Sequence, residues 1–517
     1  MEEALFSAPT EVTKTSFQNK YVDSEVVFGL VAAIGTNLNR VIQCLEERLH
    51  IFRYEVSVIE ISDLFLENLI PPLQPEINQG LKDEVYIKKD MLMDFGTRLR
   101  SETCEGYLAM AVINHIQSER PVTGDEKTPA PRRRMAYIVK SLKNTAEVEI
   151  LRTVYGSGFY LIGVYQENEQ RKENLRNKGI IYENNITSLM EKDEDENKIF
   201  GQQSRNTYQL SDFFIDNTSE PKTKANVHRL LDLIFGQPFI TPTFGEYAMF
   251  MAYCSSLRSA DLSRQIGAVI CKNDTILATG ANDCPKSGGG LYWPYYDKGE
   301  SEYCDHKDGR DYTLGYDTNK VEFVNIARNI FDVFNIEMTP QNFDKIKNTS
   351  LGRLTEYGRV VHAEMEAIAS CARNSISCQD AEIYVTAFPC HNCAKHLIAA
   401  GIKKVVYIEP YAKSKTLDFY KESIAKEADN KDLVSFIPFF GMGPRRFIEL
   451  FAMNANNLPE RKRKKRECDI IEEYGKTIQW DRREANIRSQ MFFTSYLERE
   501  VEFSKHYCDF SQKMIKN

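Results

Sequence analysis

The sequence of 517 residues contains no long apolar run and no internal repeat. Both absences narrow the classes of protein to which the chain could belong. No stretch approaches the about 18 consecutive apolar residues that a membrane-spanning helix needs. The first residues, Met-Glu-Glu-Ala-Leu-Phe, are acidic and lack the apolar core of a secretory signal peptide. Without a repeat, a solenoid is not expected. We therefore expect a cytoplasmic protein with no membrane partner.

An excess of positive charge is also absent, since the formal net charge is −8. The chain as a whole lacks the basic character of proteins that bind long polyanions, although a basic pocket for a small anion remains compatible with this charge. The 12 cysteines are scattered, and in a cytoplasm we expect reduced thiols rather than a disulfide framework. The length predicts two or three domains.

The most informative stretch lies between His362 and Cys393. It reads His362-Ala-Glu364 and then, after a spacer, Pro-Cys390-His-Asn-Cys393. One imidazole and two thiolates, from His362, Cys390 and Cys393, form a usual ligand set for Zn²⁺. Three protein ligands leave a fourth position for water, whose pKa zinc can lower to about 7. Glu364 is placed as a general acid and base rather than as a ligand.

The surrounding sequence predicts two helices that begin at this metal site. A helix starts at His362, residues 381–386 form a strand, and residues 390–400 form a second helix that Gly401 stops. A helix N-terminus favours thiolates because its dipole end is positive. The alternatives are chance spacing and a closed structural zinc site, which would need a fourth protein ligand and leave Glu364 without a role.

The first 240 residues are predicted to form an α/β domain with a parallel sheet. Residues 26–31 read as a buried strand, 41–49 as a helix and 54–61 as a second strand, which is a βαβ start. Residues 166–207 are polar and carry an acidic run at 191–196, which favours a solvated linker or hairpin tip. Residues 209–215 and 227–235 are predicted as helices that close this domain or pack between the two domains.

The turn after the first strand lies where a P-loop would lie. Aligned on G-x-x-x-x-G-K-[ST], the four specified positions carry Ala32, Asn37, Leu38 and Asn39. All four depart from the pattern, and Leu38 cannot offer a cation to phosphates. We therefore expect a degenerate P-loop, used for binding or assembly rather than for ATP hydrolysis. The backbone of Gly35, Thr36 and Asn37 could still form a nest for an anion.

The second domain, residues 241–517, is predicted as an α/β/α layer structure. A helix at 244–262 and a hairpin at 265–280 come before the metal motif, and the long segment 287–359 is inserted ahead of it. A helical tail ends the chain, after a basic run at 461–466 that we expect to be an exposed flank. Cys284, Cys304 and His306 could form a second metal site, but the spacing is unusual and free thiols with a surface histidine are the alternative.

The H-x-E…P-C-x-x-C pattern resembles that of zinc nucleobase and nucleotide deaminases. The whole chain resembles the bacterial anti-phage deoxycytidylate deaminases, in which a P-loop-like domain precedes a cytidine-deaminase-like domain. Residues 135–152, 200–203 and 358–362 also resemble the corresponding stretches of that family. Gly280-Ala-Asn282-Asp-Cys-Pro-Lys286 resembles the family's nucleotide-sugar loop, so Asn282 would contact deoxyribose and Lys286 a phosphate. An Asx-turn and a solvated lysine are the alternatives.

The resemblance implies hydrolytic deamination of dCMP and dCTP, with one Zn²⁺ per chain and Mg²⁺ as a further candidate for a triphosphate substrate. It also implies depletion of the deoxycytidine nucleotide pool during phage infection, a regulatory small RNA and a homo-oligomer. Three other functions are weighed. A housekeeping dCMP deaminase would not need the extra domain. A deaminase acting on cytosine or adenine in tRNA or single-stranded DNA would need a basic, aromatic groove. A kinase or signalling protein is disfavoured by Leu38.

Overall fold

The computed structural model describes residues 23–62, 83–123, 128–194, 200–353, 356–409, 414–426, 432–453, 480–488 and 493–516. The chain divides into two compact units. Unit 1 comprises Met1–Pro242 together with Phe440–Asn517, and unit 2 is Thr243–Phe439. The basic run at 461–466 and the last two residues of the acidic run at 191–196 lie outside the described ranges.

The strands of the described residues are, in chain order, β1 Val26–Ala32, β2 Glu55–Glu60, β3 Val122–Thr123, β4 Thr128–Pro129, β5 Met135–Lys140, β6 Phe159–Tyr165, β7 Phe213–Asp216, β8 Gly267–Lys272, β9 Thr275–Ala281, β10 Tyr295–Asp297, β11 Glu302–Cys304, β12 Glu382–Ala387, β13 Lys404–Glu409, β14 Ile424–Ala425, β15 Val434–Pro438 and β16 Gly441–Met442.

The α-helices of the same residues are α1 Leu38–Ile51, α2 Glu84–Glu102, α3 Tyr107–Ser118, α4 Thr145–Tyr155, α5 Asn168–Asn177, α6 Glu183–Glu194, α7 Ser204–Tyr208, α8 Glu220–Ile234, α9 Phe244–Ser256, α10 Asp311–Leu314, α11 Thr318–Val333, α12 Pro340–Lys347, α13 Ala363–Arg373, α14 His391–Ala399, α15 Thr416–Phe419, α16 Phe447–Phe451 and α17 Phe493–Lys516. Short 3-10 turns occupy Gly156–Gly158, Ser350–Arg353 and Pro444–Arg446.

Unit 1 is built on a six-stranded sheet with the order β2-β5-β1-β6-β7-β16. All neighbours are parallel except β16, which runs antiparallel to β7. Every residue of β1 is buried, as expected for a central strand covered on both faces. The parallel α/β sheet predicted for this part of the chain is therefore confirmed. The chain winds to one side of β1 through β2 and β5, then crosses to β6, so the winding direction changes beside β1.

The polar segment 166–207 differs from the solvated linker that its composition predicted. It forms helices α5, α6 and α7, and Leu175, Ile186 and Leu189 are buried against Met93. These few apolar residues are enough to fix two short helices against helix α2, although charged residues outnumber them in the sequence. Asp193, within the acidic run, is only 1% exposed. The acidic composition therefore concealed a folded part of unit 1.

Two further differences concern residues 209–215 and the C-terminal tail. The first contains strand β7 rather than a helix, because four consecutive buried residues pair with β6. The tail was predicted with the second domain, but it belongs to unit 1. There β16 pairs with β7, and helix α17 lies against α3, where Tyr107 Oη is 2.8 Å from Ser511 Oγ. The tail is helical, as predicted.

Unit 2 contains a six-stranded mixed sheet with the order β14-β15-β13-β12-β8-β9. The predicted hairpin is present as the antiparallel pair β8 and β9, while β12, β13 and β15 are parallel. Small and branched residues from the sheet and from helices α13 and α14 form one core, including Ile270, Ala367, Val385, Leu397 and Val405. This packing fixes both helices against the sheet, and both begin at the predicted metal site.

Candidate active site

The three predicted ligands lie at the starts of two neighbouring helices. His362 and Cys390 are the residues that come directly before α13 and α14, and Cys393 lies in the first turn of α14. Strand β9 approaches α13 very closely, since a Cβ on Gly280 would lie 2.1 Å from the Ala363 carbonyl oxygen. Glycine is therefore required at this position for the strand to support the helix start.

The side chains of His362, Cys390 and Cys393 converge on one point. The Nδ1 atom of His362 is 3.4 Å from Cys390 Sγ and 3.3 Å from Cys393 Sγ. The three ligand atoms lie within 4.8 Å of one another, and no other group of at least three histidine, cysteine or acidic ligands this close occurs in the described ranges. One imidazole nitrogen and two sulfurs at these separations are suited to a single Zn²⁺ ion.

The pKa values of Cys390 and His362 are both shifted by their contact with each other. Hydrogen bonds from Cys393 and His362 lower the pKa of Cys390 to about 3, so this sulfur is held as a thiolate. The hydrogen bond to Cys390 raises the pKa of His362 to about 9. A thiolate at the N-terminus of α14 is further favoured by the positive end of the helix dipole. Without a metal the cluster therefore pairs the Cys390 thiolate with a protonated His362, and the pKa of Cys393 is raised, so both His362 and Cys393 would release a proton on binding Zn²⁺.

Glu364 lies beside the ligands and is buried. It is the second residue of α13, is only 4% exposed, and its carboxyl group forms a hydrogen bond with Cys393. Burial is the main cause that raises the pKa of this carboxyl group above its ordinary value. A raised pKa lets a carboxyl group hold a proton at a higher pH than an ordinary carboxylate does, which suits a general acid and base.

Residues that the sequence did not single out hold the two ligand segments in place. The hydroxyl groups of Ser414 and Thr416 each donate to the Pro389 carbonyl oxygen at 3.1 Å, which fixes the residue before Cys390. On the other side, Asp283 and Val361 exchange backbone hydrogen bonds of 3.2 and 3.0 Å directly before His362. Only long-range pairing identifies these residues, so no local sequence signal could have found them.

A buried arginine connects the inserted segment 287–359 to the metal site. Arg310 lies 3.4 Å from Asp283 through Nε and 2.7 Å from Asp305 through Nη1. Its other nitrogen, Nη2, donates to the Tyr292 carbonyl oxygen. Because Asp283 pairs with the backbone beside His362, Arg310 ties the first part of the insertion to the ligand segment. The insertion is folded, with hairpin β10–β11 and helices α10, α11 and α12.

The two predicted substrate contacts occupy different surroundings. Asn282 is 4% exposed, and its amide is committed to the backbone: Oδ1 accepts from Ile266 N at 2.6 Å and Nδ2 donates to Arg264 O at 2.8 Å. In this structure its side chain fixes a loop, so the predicted sugar contact has no geometric support. Lys286 is exposed and follows the same loop, so it is accessible to a phosphate.

The predicted second metal site does not form among the described residues. Cys284 is buried, its Sγ lies 3.5 Å from Asp311 Oδ1, and burial raises its pKa to about 11. His306 instead packs between aromatic rings, 5.2 Å from that of Tyr292 and 4.8 Å from that of Tyr295. The Cys304 thiol lies 3.7 Å from Glu302. The three side chains therefore have separate roles, as the alternative interpretation expected.

In unit 1, residues 33–37 connect β1 to α1, and Gly35 has a φ of +86°. The protein's own side chains occupy its backbone donors. Ile34 N donates to Asp193 Oδ2 at 2.8 Å, and Asn37 N donates to Gln166 Oε1 at 2.8 Å. Lys143 Nζ lies 2.6 Å from the other oxygen of Asp193. Within the predicted nest, Asn37 N is thus taken by Gln166 and Thr36 N donates to the Ala33 carbonyl oxygen at 3.2 Å, while the Asp193 carboxylate accepts from the residue before Gly35.

Comparisons with known proteins agree with this site. The model of the cytidine and deoxycytidylate deaminase zinc-binding region matches residues 242–409. Deoxycytidylate deaminase of Enterobacteria phage T4 is 32% identical over 165 residues, which are 32% of this chain and 77% of that protein. The phage T2 enzyme is 34% identical over 32% of this chain and 79% of its own length. The chain belongs to the deoxycytidylate deaminase family.

The family membership makes this chain a deaminase enzyme with a zinc-binding site in unit 2. The human deoxycytidylate deaminase is 27% identical over 32% of this chain and 63% of its own length. A crystal structure of dCMP deaminase from cyanophage S-TIM5 aligns with 39% of this chain and 100% of that chain at 20% identity, with a TM-score of 0.22. Among the described helices of the deaminase, none is both long and apolar enough to cross a membrane.

Proposed function

We propose that the deaminase hydrolyses the 4-amino group of free deoxycytidine nucleotides, dCMP and dCTP, with release of ammonia. The observation that carries this proposal is the buried carboxyl group of Glu364 beside a cluster of three metal ligands. Three ligands leave room for water on a bound zinc ion, which supplies Lewis-acid activation of that water. A closed four-ligand site would have no use for a buried proton carrier.

In this reaction Glu364 moves the protons. Its carboxylate takes a proton as water adds to C4 of the base, and it returns a proton to the departing amino group, so one water is consumed for each ammonia released. The raised pKa that burial gives this carboxyl group supports both halves of the transfer. His362, Cys390 and Cys393 hold the metal, and the start of α13 fixes the distance between Glu364 and the ligands.

The nucleotide substrate is supported by the names of the relatives and by the loop at residues 282–286. We propose that Lys286, which is exposed, contacts the substrate phosphate. The proposed sugar contact of Asn282 would require its amide to leave Arg264 and Ile266. For dCTP, Mg²⁺ would accompany the triphosphate.

A substrate panel tests the proposal. Purified deaminase should convert dCMP or dCTP to the uracil nucleotide much faster than it converts CTP or cytosine in an oligonucleotide. Lys286→Ala should raise KM with little change in kcat, because a phosphate contact remote from C4 contributes mainly binding. Lys298→Ala, another exposed lysine in unit 2, is the matched control. Equal KM values for the two variants would remove Lys286 from the substrate site.

Deamination of cytosine in a single strand is a second candidate, because unit 2 exposes several aromatic side chains. Trp293 and Tyr303 are 57% and 82% exposed, and the guanidinium of Arg258 lies 3.7 Å from the Trp293 ring centroid. Aromatic platforms with arginine are typical of proteins that bind single strands. The net charge of −8 argues against a long polyanion. This alternative predicts that the oligonucleotide in the panel is the preferred substrate.

We further propose that unit 1 is a P-loop-like module that does not hydrolyse ATP. The strand order and the position of the β1–α1 turn support the comparison, because ligands of open parallel sheets bind where the winding direction changes. Leu38 in place of a lysine, and Asp193 at the turn, argue against catalysis on a nucleotide there.

The role proposed for the whole chain is depletion of the deoxycytidine nucleotide pool during phage infection, with a homo-oligomer and an inhibitory small RNA as partners. Its support is the resemblance of the chain arrangement to anti-phage deoxycytidylate deaminases. Cells expressing the deaminase should lose dCTP after infection and yield fewer phage, and cells expressing Glu364→Ala should do neither. Unchanged dCTP levels in infected cells would reject this role while leaving the reaction itself untouched.

A further inference from the structure

A basic cavity lies at the edge of the unit 1 sheet opposite the β1–α1 turn. Its volume is about 250 Å³, and its lining residues are Arg152, Gly156, Phe159, Asp212, Arg445 and Arg446. Phe159 begins strand β6 and Asp212 directly precedes β7, so the cavity lies at the amino-terminal ends of these strands. The cavity is therefore separate from the crevice where a P-loop-like fold would take a nucleotide.

Two of the three arginines are fixed by the surrounding fold. The guanidinium of Arg446 lies 4.4 Å from the ring centroid of Tyr160, its Nε is 3.1 Å from Glu449 Oε2, and its Nη2 donates to the Ser157 carbonyl oxygen. Arg152, in the last turn of α4, donates to Asp212 Oδ1 at 3.0 Å. Both guanidinium groups are held before any ligand arrives, which reduces the entropy cost of binding.

The acidic residues nearby do not neutralise this cluster. Asp212 Oδ2 accepts from Leu161 N at 2.8 Å, so this carboxylate is shared between Arg152 and the backbone of β6. Glu449 pairs with Arg446. Three arginines therefore face two carboxylates, and the side chain of Arg445 is exposed at the cavity. The surplus positive charge and the accessible guanidinium define an anion site.

We propose that this cavity binds the diphosphate group of a small phosphorylated molecule, with Arg445, Arg446 and Arg152 as its ligands. The planar fork of a guanidinium donates two parallel hydrogen bonds to phosphate oxygens. A cavity of about 250 Å³ is smaller than the roughly 300 to 1,000 Å³ of sites that enclose a whole ligand of drug size. It holds a diphosphate, and any nucleoside attached to it would lie outside.

Calorimetric titration of the full-length deaminase with inorganic pyrophosphate, at fixed ionic strength and without divalent metal, tests the site. Saturable binding to one site per chain is expected, with Kd raised at least about tenfold by Arg445→Ala, because a charge-assisted contact is removed. Arg445→Lys should recover part of the affinity. Arg133→Ala removes another exposed arginine of unit 1 and should leave Kd unchanged.

The source of the diphosphate follows from a parallel titration with ADP. Tighter binding of ADP than of pyrophosphate identifies a nucleotide ligand, and equal affinity identifies the diphosphate alone. Saturating dCMP, added to proteins that also carry Glu364→Ala so that it is not turned over, keeps the substrate site out of either titration. The absence of saturable binding, or equal Kd values for Arg445→Ala and Arg133→Ala, overturns the proposal. Neither outcome bears on deamination in unit 2, so the two proposals fail separately.

Discussion

Position relative to a helix start decides the role of each side chain in the metal cluster. His362 and Cys390 precede their helices, so their side chains extend beyond the first turn. Glu364 lies two residues after His362, within α13. Its carboxyl group is buried and forms a hydrogen bond with Cys393. The same short backbone segment thus places both the proposed ligand His362 and the proposed proton carrier Glu364.

We expect Glu364→Ala to lower kcat by at least about 10²-fold, because general acid–base catalysis contributes about 10² to 10⁴-fold. Zinc should stay near one per chain, since the carboxyl group is not a ligand. Elemental analysis of the purified variant, together with rates of uracil formation, makes the check. Cys390→Ser serves as the contrast and should lose both zinc and activity, because it removes a ligand. Loss of zinc with Glu364→Ala would contradict the assigned role.

At this scale the sequence predicted which side chains converge but not the residues that support them. Ligand types and their C-x-x-C and H-x-E spacings are local, so His362, Cys390, Cys393 and Glu364 could be read directly. Thr416 acts on Pro389 from 27 residues away in sequence, and only the fold brings them together. The sugar contact of Asn282 stays a prediction, because a motif resemblance carries no information on whether an amide is already hydrogen-bonded.

At the scale of elements, the β1–α1 turn is held by contacts with the helices that follow in the chain. A carboxylate from α6 accepts from Ile34 N, and Lys143 supplies the paired cation. Helix α5 covers the turn so closely that a Cβ on Gly35 would lie 2.6 Å from Arg171 O. The turn thus acts as a packing contact between β1 and the helices that were mistaken for a linker.

We expect the deaminase to release phosphate from ATP only at background rate, because Leu38 offers no cation to the β- and γ-phosphates. A coupled phosphate assay with purified protein and Mg²⁺-ATP measures this. The control for contamination is a Gly35→Ala variant, which should give the same background. A rate well above background in the native chain, abolished by Gly35→Ala or by substitution of Asn37, would refute the prediction.

Asp193→Ala should lower the free energy of unfolding by about 3 kcal/mol, because it leaves Lys143 without its carboxylate in a largely buried position. Urea unfolding monitored by circular dichroism gives the value. Glu191→Ala, an exposed position on the same helix, should change stability by no more than about 0.5 kcal/mol. Equal losses for both variants would mean that the acidic run is solvated after all.

A second buried ion group fixes the C-terminal helix to unit 1. Arg120 donates through Nη1 to Glu25 at 2.7 Å and through Nε to Glu500 at 2.6 Å, and all three side chains are fully buried. Removing the guanidinium of Arg120 would leave the buried carboxylates of Glu25 and Glu500 without their cation. Arg120→Met should therefore cost about 3 to 5 kcal/mol of unfolding free energy at neutral pH.

The pH dependence of this loss provides a sharper test. Burial raises the pKa of Glu500, and loss of the Arg120 guanidinium, which opposes that shift, should raise it further. A carboxyl group with a raised pKa in the folded state contributes stability at low pH that is lost as pH rises through that pKa. The deficit of Arg120→Met should shrink between pH 7.5 and pH 5, as followed by urea unfolding. The control, Arg132→Met, removes a partly exposed pair and should cost about 1 kcal/mol or less.

For the whole molecule, unit 2 is inserted within the sequence of unit 1. The entry point near residue 242 was close to the predicted boundary at 240, because an apolar helix begins there after a proline-containing stretch. The sequence did not predict that the chain returns to unit 1 at Phe440. The first element after this point, β16, is only two residues long. A strand that short has no periodicity, and its place in the sheet depends on pairing with β7 more than 200 residues earlier.

Competition between substrates tests the proposed function at the scale of the molecule. A net charge of −8 disfavours binding of a long polyanion, so free deoxycytidine nucleotide should be deaminated in preference to oligonucleotide cytosine at equal cytosine concentration. Uracil in each pool, separated by chromatography, gives the ratio. Salt adds a second reading, because a protein with 6 to 10 phosphate contacts loses roughly 10³ to 10⁵ in affinity between 50 and 200 mM salt. One nucleotide has few phosphates, so KM should rise only slightly over that range. Uracil that accumulates in the oligonucleotide, with a steep salt dependence and an unchanged nucleotide pool, would replace the proposed reaction with single-strand editing.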